Sequence, residues 1–276
     1  MEMLTDYWWL NLLAGFAGSG LIALAAYASR SLSGSGAWSA AMMGTAFVAL
    51  GGPVWFGTLI AFFLTSTLWS KYKRRHRSKA EAESKYAKTG RRDAGQVWAN
   101  GGLGLALCAG HAVWPDPGWL HAFVGVMAAV TADTWATELG ALSRTPPRSI
   151  VGGRPVAPGT SGGVTALGSA AALAGAVFIG AAAALLAALP PREAAALAAV
   201  AAAAGLAGAF ADSLLGATGQ AMYRCRACGS ETERAAHCGV AAERFRGFAF
   251  LDNDRVNLLS SAAAGALAWA LGALLI

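Results

Sequence analysis

Apolar residues run along this chain in long blocks, and polar residues gather between them. The blocks cover approximately residues 8–27, 38–51, 54–70, 98–114, 119–142, 163–189, 194–217 and 256–276. A helix needs about 20 predominantly apolar residues to span the hydrocarbon core of a bilayer. The pattern therefore predicts an all-α, polytopic membrane protein with about eight transmembrane helices, forming a single domain over residues 1–276. The second and fourth blocks are short, as suits a re-entrant segment or one tucked inside the bundle. Tryptophans at several block ends suit the aromatic belt of a membrane interface. The first block follows an acidic amino end and lacks a small-residue cleavage region, so it reads as a retained span and not a signal peptide.

Composition strengthens this picture. Hydrophobic residues make up 56% of the 276 and charged residues only 13%, against roughly 25% charged in soluble domains. The 35 glycines suit helices that pack through small residues, since lipid supplies no hydrophobic drive for helix association.

Charge then orients the spans. With eight spans and the N-terminus outside, the inner loops are 28–37, 71–97, 143–162 and 218–255. Of the 21 Lys and Arg residues, Arg192 alone falls outside these loops, which is the asymmetry of the positive-inside rule. The basic loop 71–97 suits a topology signal in contact with anionic lipid headgroups. Nucleic-acid binding is excluded as a role, because the basic residues sit against the membrane and no recognition module accompanies them.

Carboxylates inside a bilayer are expensive and mark function unless something pairs with them, yet the fifth block ends in Asp133-Thr134-Trp135-Ala136-Thr137-Glu138. Asp133 and Thr137 share one helix face, and Thr134 and Glu138 the neighbouring one. The predicted topology puts all four in the inner turns. Arg92, Asp93, Gln96 and Asn100 lie at the same depth, at the entrance of the fourth span. So do the turn Pro158-Gly159-Thr160-Ser161-Gly162-Gly163, the pair Asp212-Ser213 with Gln220 beyond it, and Asn253, Asp254, Arg255 and Asn257 at the start of the eighth span. Taken singly, each has a structural alternative. Asp93, Asp254 and Thr160-Ser161 are residue types that cap helices, and Asp212 suits an arginine-paired lock. Five segments converging on one depth point instead to a site.

The residue types suit phosphate chemistry with Mg²⁺, which takes one or two carboxylates plus substrate phosphates. Asp133, Glu138, Asp212 and Asp254 are the candidate ligands and catalytic carboxylates. A glycine turn opening a helix, with Thr160, Ser161 and Gly162, presents N–H groups and hydroxyls to an anion. It is not a Walker loop, because the Gly-Lys-Ser/Thr ending is absent. Lys71, Lys73, Arg92 and Asn100 are candidates for holding further phosphate charge. Asp93, Gln96, Thr134, Thr137, Ser213, Gln220, Asn253 and Asn257 complete the candidate substrate- and nucleotide-binding set. Phosphoryl transfer is mainly positioning plus charge neutralisation, which such residues supply.

One further cluster stands apart. Cys225, Cys228, His237 and Cys238 fall in the last inner loop, 218–255. Three cysteines and a histidine match a tetrahedral structural Zn²⁺ site, and a reduced loop without metal is the alternative. A disulfide does not suit a loop on the cytoplasmic side. Four protein ligands leave no open position, so zinc here would order the loop rather than catalyse.

Several of these segments carry a family resemblance. Arg92-Asp93-Ala94-Gly95-Gln96-Val97-Trp98-Ala99-Asn100-Gly101, Ala132-Asp133-Thr134-Trp135-Ala136-Thr137-Glu138-Leu139-Gly140 and Pro158-Gly159-Thr160-Ser161-Gly162-Gly163-Val164-Thr165 resemble three motifs of an integral-membrane family. Asp212-Ser213-Leu214-Leu215-Gly216-Ala217 with Gln220, and Leu251-Asp252-Asn253-Asp254-Arg255-Val256-Asn257, continue the likeness. The family is the one catalogued as domain of unknown function ninety-two, whose plant member is phytyl-phosphate kinase. The resemblance runs from about Trp8 to the carboxyl end; at Thr137, where serine is as common, the hydroxyl is kept.

The resemblance implies a membrane prenyl-phosphate kinase, transferring a phosphoryl group from a nucleoside triphosphate to a prenyl monophosphate such as phytyl or geranylgeranyl phosphate. A looser likeness of the Asp133–Glu138 stretch to CTP-using membrane kinases of the dolichol and phytol type favours CTP as donor. The implied partners are the nucleotide, the prenyl monophosphate and membrane lipids, with the site at the cytoplasmic membrane edge and homo-oligomers left open. The alternative is a transporter or flippase of a phosphorylated lipid, which would place its site at the midplane between inverted repeats. A non-catalytic lipid-binding scaffold is a third reading, and it leaves the carboxylates unexplained.

Overall fold

The computed structural model describes residues 8–73 and 90–276; most of the basic loop 71–97 and the side chain of Lys73 lie outside the described residues. The described chain is mostly helical, with α1 (Trp8–Ala28), α2 (Gly34–Lys73), α3 (Ala94–Val113), α4 (Pro117–Gly140), α5 (Ala166–Leu186), α6 (Pro191–Thr218) and α7 (Asn253–Leu275). Five of these helices, α1, α2, α5, α6 and α7, are long and apolar enough to cross a membrane.

Among the described residues there are seven helices, because the second and third apolar blocks are joined in one helical run of 40 residues, α2. That run is not a rod. At Gly52 the backbone turns to φ 69, ψ −157, and Pro53 follows. Glycine takes this left-handed region without penalty, and proline brings no N–H to continue the ladder. In a straight helix residues 44 and 56 would lie about 18 Å apart. Instead a Cβ on Gly44 would come within 3.2 Å of Phe56. Met43 and Leu59 likewise both flank Gly101, at 2.4 and 3.7 Å from a Cβ built there. α2 is therefore a helical hairpin folded at Gly52.

α4 is the central helix. Every residue from His121 to Ala132 is buried, with α5, α6, α7 and α2 packed around it. Phe123 meets Trp55 and Phe47 from α2, with ring centroids 4.5 and 5.7 Å apart. The opposite side packs through small residues. A Cβ on Gly205 of α6 would lie 2.6 Å from Ala176 of α5 and 2.9 Å from Ala128 of α4, so any side chain there would push the three helices apart. Outward faces carry exposed Leu13, Phe16, Leu21, Leu24 and Leu185, as expected of lipid-facing positions.

The expectation of purely helical structure needs one correction. The segment 218–255 folds into a small antiparallel sheet of β3 (Met222–Cys225), β4 (Glu231–Thr232), β5 (Ala236–His237) and β6 (Val240–Arg246), in the order β4-β3-β6-β5. Tyr223, Thr232, Val240 and Phe245 are the β-branched and aromatic types that favour a pleated surface. The sheet is tied to the end of α6 by the Phe248 amide on Gly219 O (2.9 Å) and by Arg246 donating to Gly216 O (3.1 Å). A two-stranded pair, β1 (Arg148–Ser149) with β2 (Gly163–Val164), folds the α4–α5 connection.

Candidate active site

A cavity of about 740 Å³ opens where the ends of α3, α4, α6 and α7 meet the connection 141–165 and the small sheet. Most of the residues singled out in the sequence line it. Arg92, Gln96 and Asn100 come from the entrance of α3, and Asp133, Thr134 and Thr137 from α4. Thr160, Ser161 and Gly162 come from the glycine turn, Asp212 and Ser213 from α6, and Asn253, Asp254 and Asn257 from the first turns of α7.

Glu138 does not line the cavity. Five residues separate it from Asp133, a rotation of about 140° around the helix. Its Oε1 instead accepts a hydrogen bond of 2.7 Å from Ser70 Oγ on α2. Its charge also supports the neighbouring Arg92, whose pKa burial pulls down and the Glu138 carboxylate pushes back up. Asp93 is the N-cap of α3 in a capping box: it accepts from the Gln96 amide at 2.9 Å, and its own amide donates to Gln96 Oε1 at 3.2 Å. Lys71 is exposed and outside the lining. Gln220 sits one layer behind it, buried.

The glycine turn differs from the expected helix-opening cradle. Two of its amides are engaged within the turn, Thr160 N–H on Ala157 O (3.1 Å) and Gly163 N–H on Thr160 O (3.0 Å). The helix that follows, α5, is capped by Thr165 Oγ1, which accepts from the Gly168 amide at 2.9 Å. Thr160, Ser161 and Gly162 all line the cavity, while the Ser161 hydroxyl is committed behind it, donating to Gln220 Oε1 at 2.8 Å. Gly162 has φ +81, and a Cβ there would lie 2.4 Å from that of Ala217. Glycine at this position lets the turn seat directly on α6.

The remaining carboxylates are held from neighbouring elements. Asp252, not Asp254, caps α7, accepting from the Arg255 amide at 3.0 Å. Asp254 is thereby left in the first turn, facing the cavity. Asp212 accepts a hydrogen bond of 3.1 Å from Ser260 Oγ.

Three of the lining residues not foreseen from the sequence bear on the chemistry. Ser260 lies at the i+7 position from Asn253, with Asn257 between them at i+4, so helical periodicity carried the signal. Arg144 follows α4 in the connection to β1. Glu233 lies between β4 and β5, where no periodicity marks it. Its charge acts on both Asp133 and Asp212, and it accepts a hydrogen bond of 2.9 Å from Gln220 Nε2. Carboxylates of four segments, Asp133, Asp212, Asp254 and Glu233, thus surround one polar space, with Arg92 and Arg144 also on its wall. Such a mixed lining can hold a cation together with anions.

A second, narrow cavity adjoins the first. It is walled by apolar residues of α1 and both arms of the α2 hairpin, among them Ala23, Met43, Phe56, Leu59 and Phe62. Arg92, Gln96 and Asn100 belong to both walls, so the polar space and the apolar crevice meet at these three residues.

The Cys/His cluster is assembled outside the cavity. The ligand atoms of Cys225, Cys228, His237 and Cys238 all lie within 4.8 Å of one another. His237 Nδ1 is 3.4 Å from Cys228 Sγ and 3.2 Å from Cys238 Sγ. A set of this kind could hold a metal ion.

The family model described as integral membrane protein DUF92 matches residues 16–265. The chain is 30% identical over 264 residues to Protein PGR of Arabidopsis thaliana, covering 88% of this chain and 89% of that protein. It is also 30% identical over 199 residues to the uncharacterized membrane protein MJ0933 of Methanocaldococcus jannaschii, covering 71% of this chain and 78% of the relative. No solved structure matches the chain. With the helical bundle, its lipid-facing surface and these matches taken together, the chain belongs to the DUF92 family of integral membrane proteins.

Proposed function

We propose that this protein is a prenyl-phosphate kinase, transferring the terminal phosphoryl group of a nucleoside triphosphate, with CTP the favoured donor, to a prenyl monophosphate. The observation that carries the reading is the junction of two cavities at Arg92, Gln96 and Asn100. A polar space rich in carboxylates suits a nucleoside triphosphate with its divalent cation, and the apolar crevice, about 60 Å³ in volume, marks where the first carbons of a prenyl tail would enter between membrane helices. The acceptor phosphate belongs where the two meet.

In this reading Arg92 neutralises the acceptor phosphate, with Gln96 and Asn100 donating hydrogen bonds to it. Arg144 and Thr160 face the donor phosphates. Asp133, Asp212 and Asp254 would hold Mg²⁺, whose charge would neutralise the donor phosphates. An oxygen of the prenyl phosphate attacks the terminal phosphorus, the bond to the leaving nucleoside diphosphate breaks, and a prenyl diphosphate results. A phosphate monoester is largely ionised near neutral pH, so the nucleophile requires no strong general base. The site opens on the face that carries the basic loops, which we take as cytoplasmic. The Cys/His cluster we assign to a structural Zn²⁺, consistent with its four closed ligands.

The test is direct. Purified protein with geranylgeranyl phosphate, Mg²⁺ and labelled CTP yields labelled diphosphate, and Asp133→Asn abolishes it. No diphosphate with CTP, UTP or ATP, together with movement of the lipid phosphate across vesicles, would replace this reading by a transporter.

A further inference from the structure

Glu233 reaches the cavity from the short connection between β4 and β5. β4 and β5 on either side are two residues each, far shorter than strands that are stable alone. Tyr223 pairs with Thr232 and Ala236 with Ala241, and between these pairings the Arg234 amide donates to Thr232 Oγ1 (3.2 Å) and Ala235 O accepts from the Ala242 amide (2.9 Å). All four Cys/His side chains sit on the same frame. Cys225 ends β3, Cys228 is in the turn that leads to β4, His237 ends β5, and Cys238 follows it. Cys225 is buried beneath the other three. Cys238 holds φ +54, a strained conformation for a residue with a Cβ, and such strain persists where surrounding bonds over-determine it. Tetrahedral zinc with ~2.3 Å bonds to sulfur sets ligand atoms roughly 3.8 Å apart, within the spread seen here.

From Glu233 a chain of hydrogen bonds runs to the glycine turn. Gln220 Nε2 donates to Glu233 Oε1 at 2.9 Å, and Gln220 Oε1 accepts from Ser161 Oγ at 2.8 Å. Gln220 is 2% exposed, so both of its amide ends are committed and its orientation is fixed by these partners. A displacement of Glu233 therefore leaves a buried amide donor unpaired and loosens Ser161 in turn.

We infer that a metal ion clasped by Cys225, Cys228, His237 and Cys238 seats Glu233 in the cavity, and through Gln220 and Ser161 sets the position of the glycine turn. The clasp thereby makes Glu233 a positioning carboxylate for the phosphate and cation site, and couples metal occupancy outside the cavity to its shape. This inference rests on the cavity's being the phosphoryl-transfer site of the preceding section, but its test does not.

The experiment uses the full chain in lipid nanodiscs, with zinc measured by inductively coupled plasma mass spectrometry and backbone mobility by hydrogen–deuterium exchange. The wild type is expected to carry about one zinc per chain. Removing it, by chelation or by Cys228→Ser, raises exchange in residues 231–237 and also in 158–163 by about tenfold, leaving α5 unchanged. Glu233→Ala keeps the zinc and raises exchange in 158–163 alone. A chain that binds no zinc overturns the inference, as does a zinc-free chain or a Glu233→Ala variant with unchanged exchange at 158–163. Should Cys228→Ser fail to fold, chelation of the wild type and the Glu233→Ala variant decide the matter. Phosphoryl transfer measured on the same samples reads the proposed function separately: its absence in the wild type with the exchange pattern intact counts against the kinase and not against the clasp.

Discussion

Ser260 on α7 donates a hydrogen bond of 3.1 Å to Asp212 on α6, so a carboxylate of the cavity is oriented by the helix opposite. Hydrogen bonds to charged groups contribute about 1.5–3 kcal/mol, and a carboxylate that swings loses its aim at a bound cation. Ser260→Ala is expected to lower kcat by about tenfold with the KM for prenyl phosphate unchanged, whereas Asp212→Asn abolishes turnover. Steady-state kinetics of the two variants check this; full activity in Asp212→Asn would remove that residue from the mechanism.

The crevice makes a separate prediction about chain length. Ala40 lines it on the first arm of α2, so Ala40→Phe fills space that a long tail would use. Each buried CH₂ is worth about 0.8 kcal/mol, and a tail shortened by even two such groups loses about tenfold in affinity. The KM for geranylgeranyl phosphate should rise accordingly, while the KM for nucleotide stays level and a short prenyl phosphate remains a substrate. A uniform rise in all three would mean that the substitution disturbs the bundle and not the tail site.

The cysteines of the clasp differ in acidity once metal is absent. Hydrogen bonds from Ser230 hold the Cys228 thiol down to about 6. The hydrogen bond between Cys228 and Cys238 pushes the Cys238 thiol up to about 11. The thiolate is the reactive form, and it prevails above the thiol's pKa. In chelated protein iodoacetamide should therefore label Cys228 at neutral pH well before Cys238. The Cys228 rate should fall as the pH drops through about 6. Peptide mapping over a pH series measures both, and equal labelling at pH 7 would contradict the assignment.

The helical class, the convergence of five segments and most of the lining were legible because each rests on a local signal. Apolar block length gave the helices. Polar residues at matching block ends, such as Asp133, Asp212 and Asn257, gave the cavity. The break at Gly52-Pro53 was legible too, since the second apolar block ends and the third begins there. Two things were not, for identifiable reasons. Glu138 shares a segment with Asp133 yet points elsewhere, because five residues along a helix change the face. Glu233 enters from a short sheet whose pairing joins residues distant in sequence, such as Tyr223 with both Thr232 and Arg244, and no periodicity announces such pairings.

The central position of α4 has a consequence for how the protein is made. This helix carries Asp133, Thr134, Thr137 and Glu138 in its last turns, and it is not among the five described helices apolar enough to cross a membrane on composition alone. Its burial against α2, α5, α6 and α7 means that lipid hardly touches it once the bundle is complete. During synthesis those partners α5, α6 and α7 do not yet exist when α4 leaves the ribosome. The segment that carries these carboxylates is expected to wait at the translocon, or at the bilayer edge, until helices made later enclose it. The carboxylates are thus compatible with a membrane only as a property of the finished assembly, and a chain cut after α4 would be expected to leave that helix uninserted.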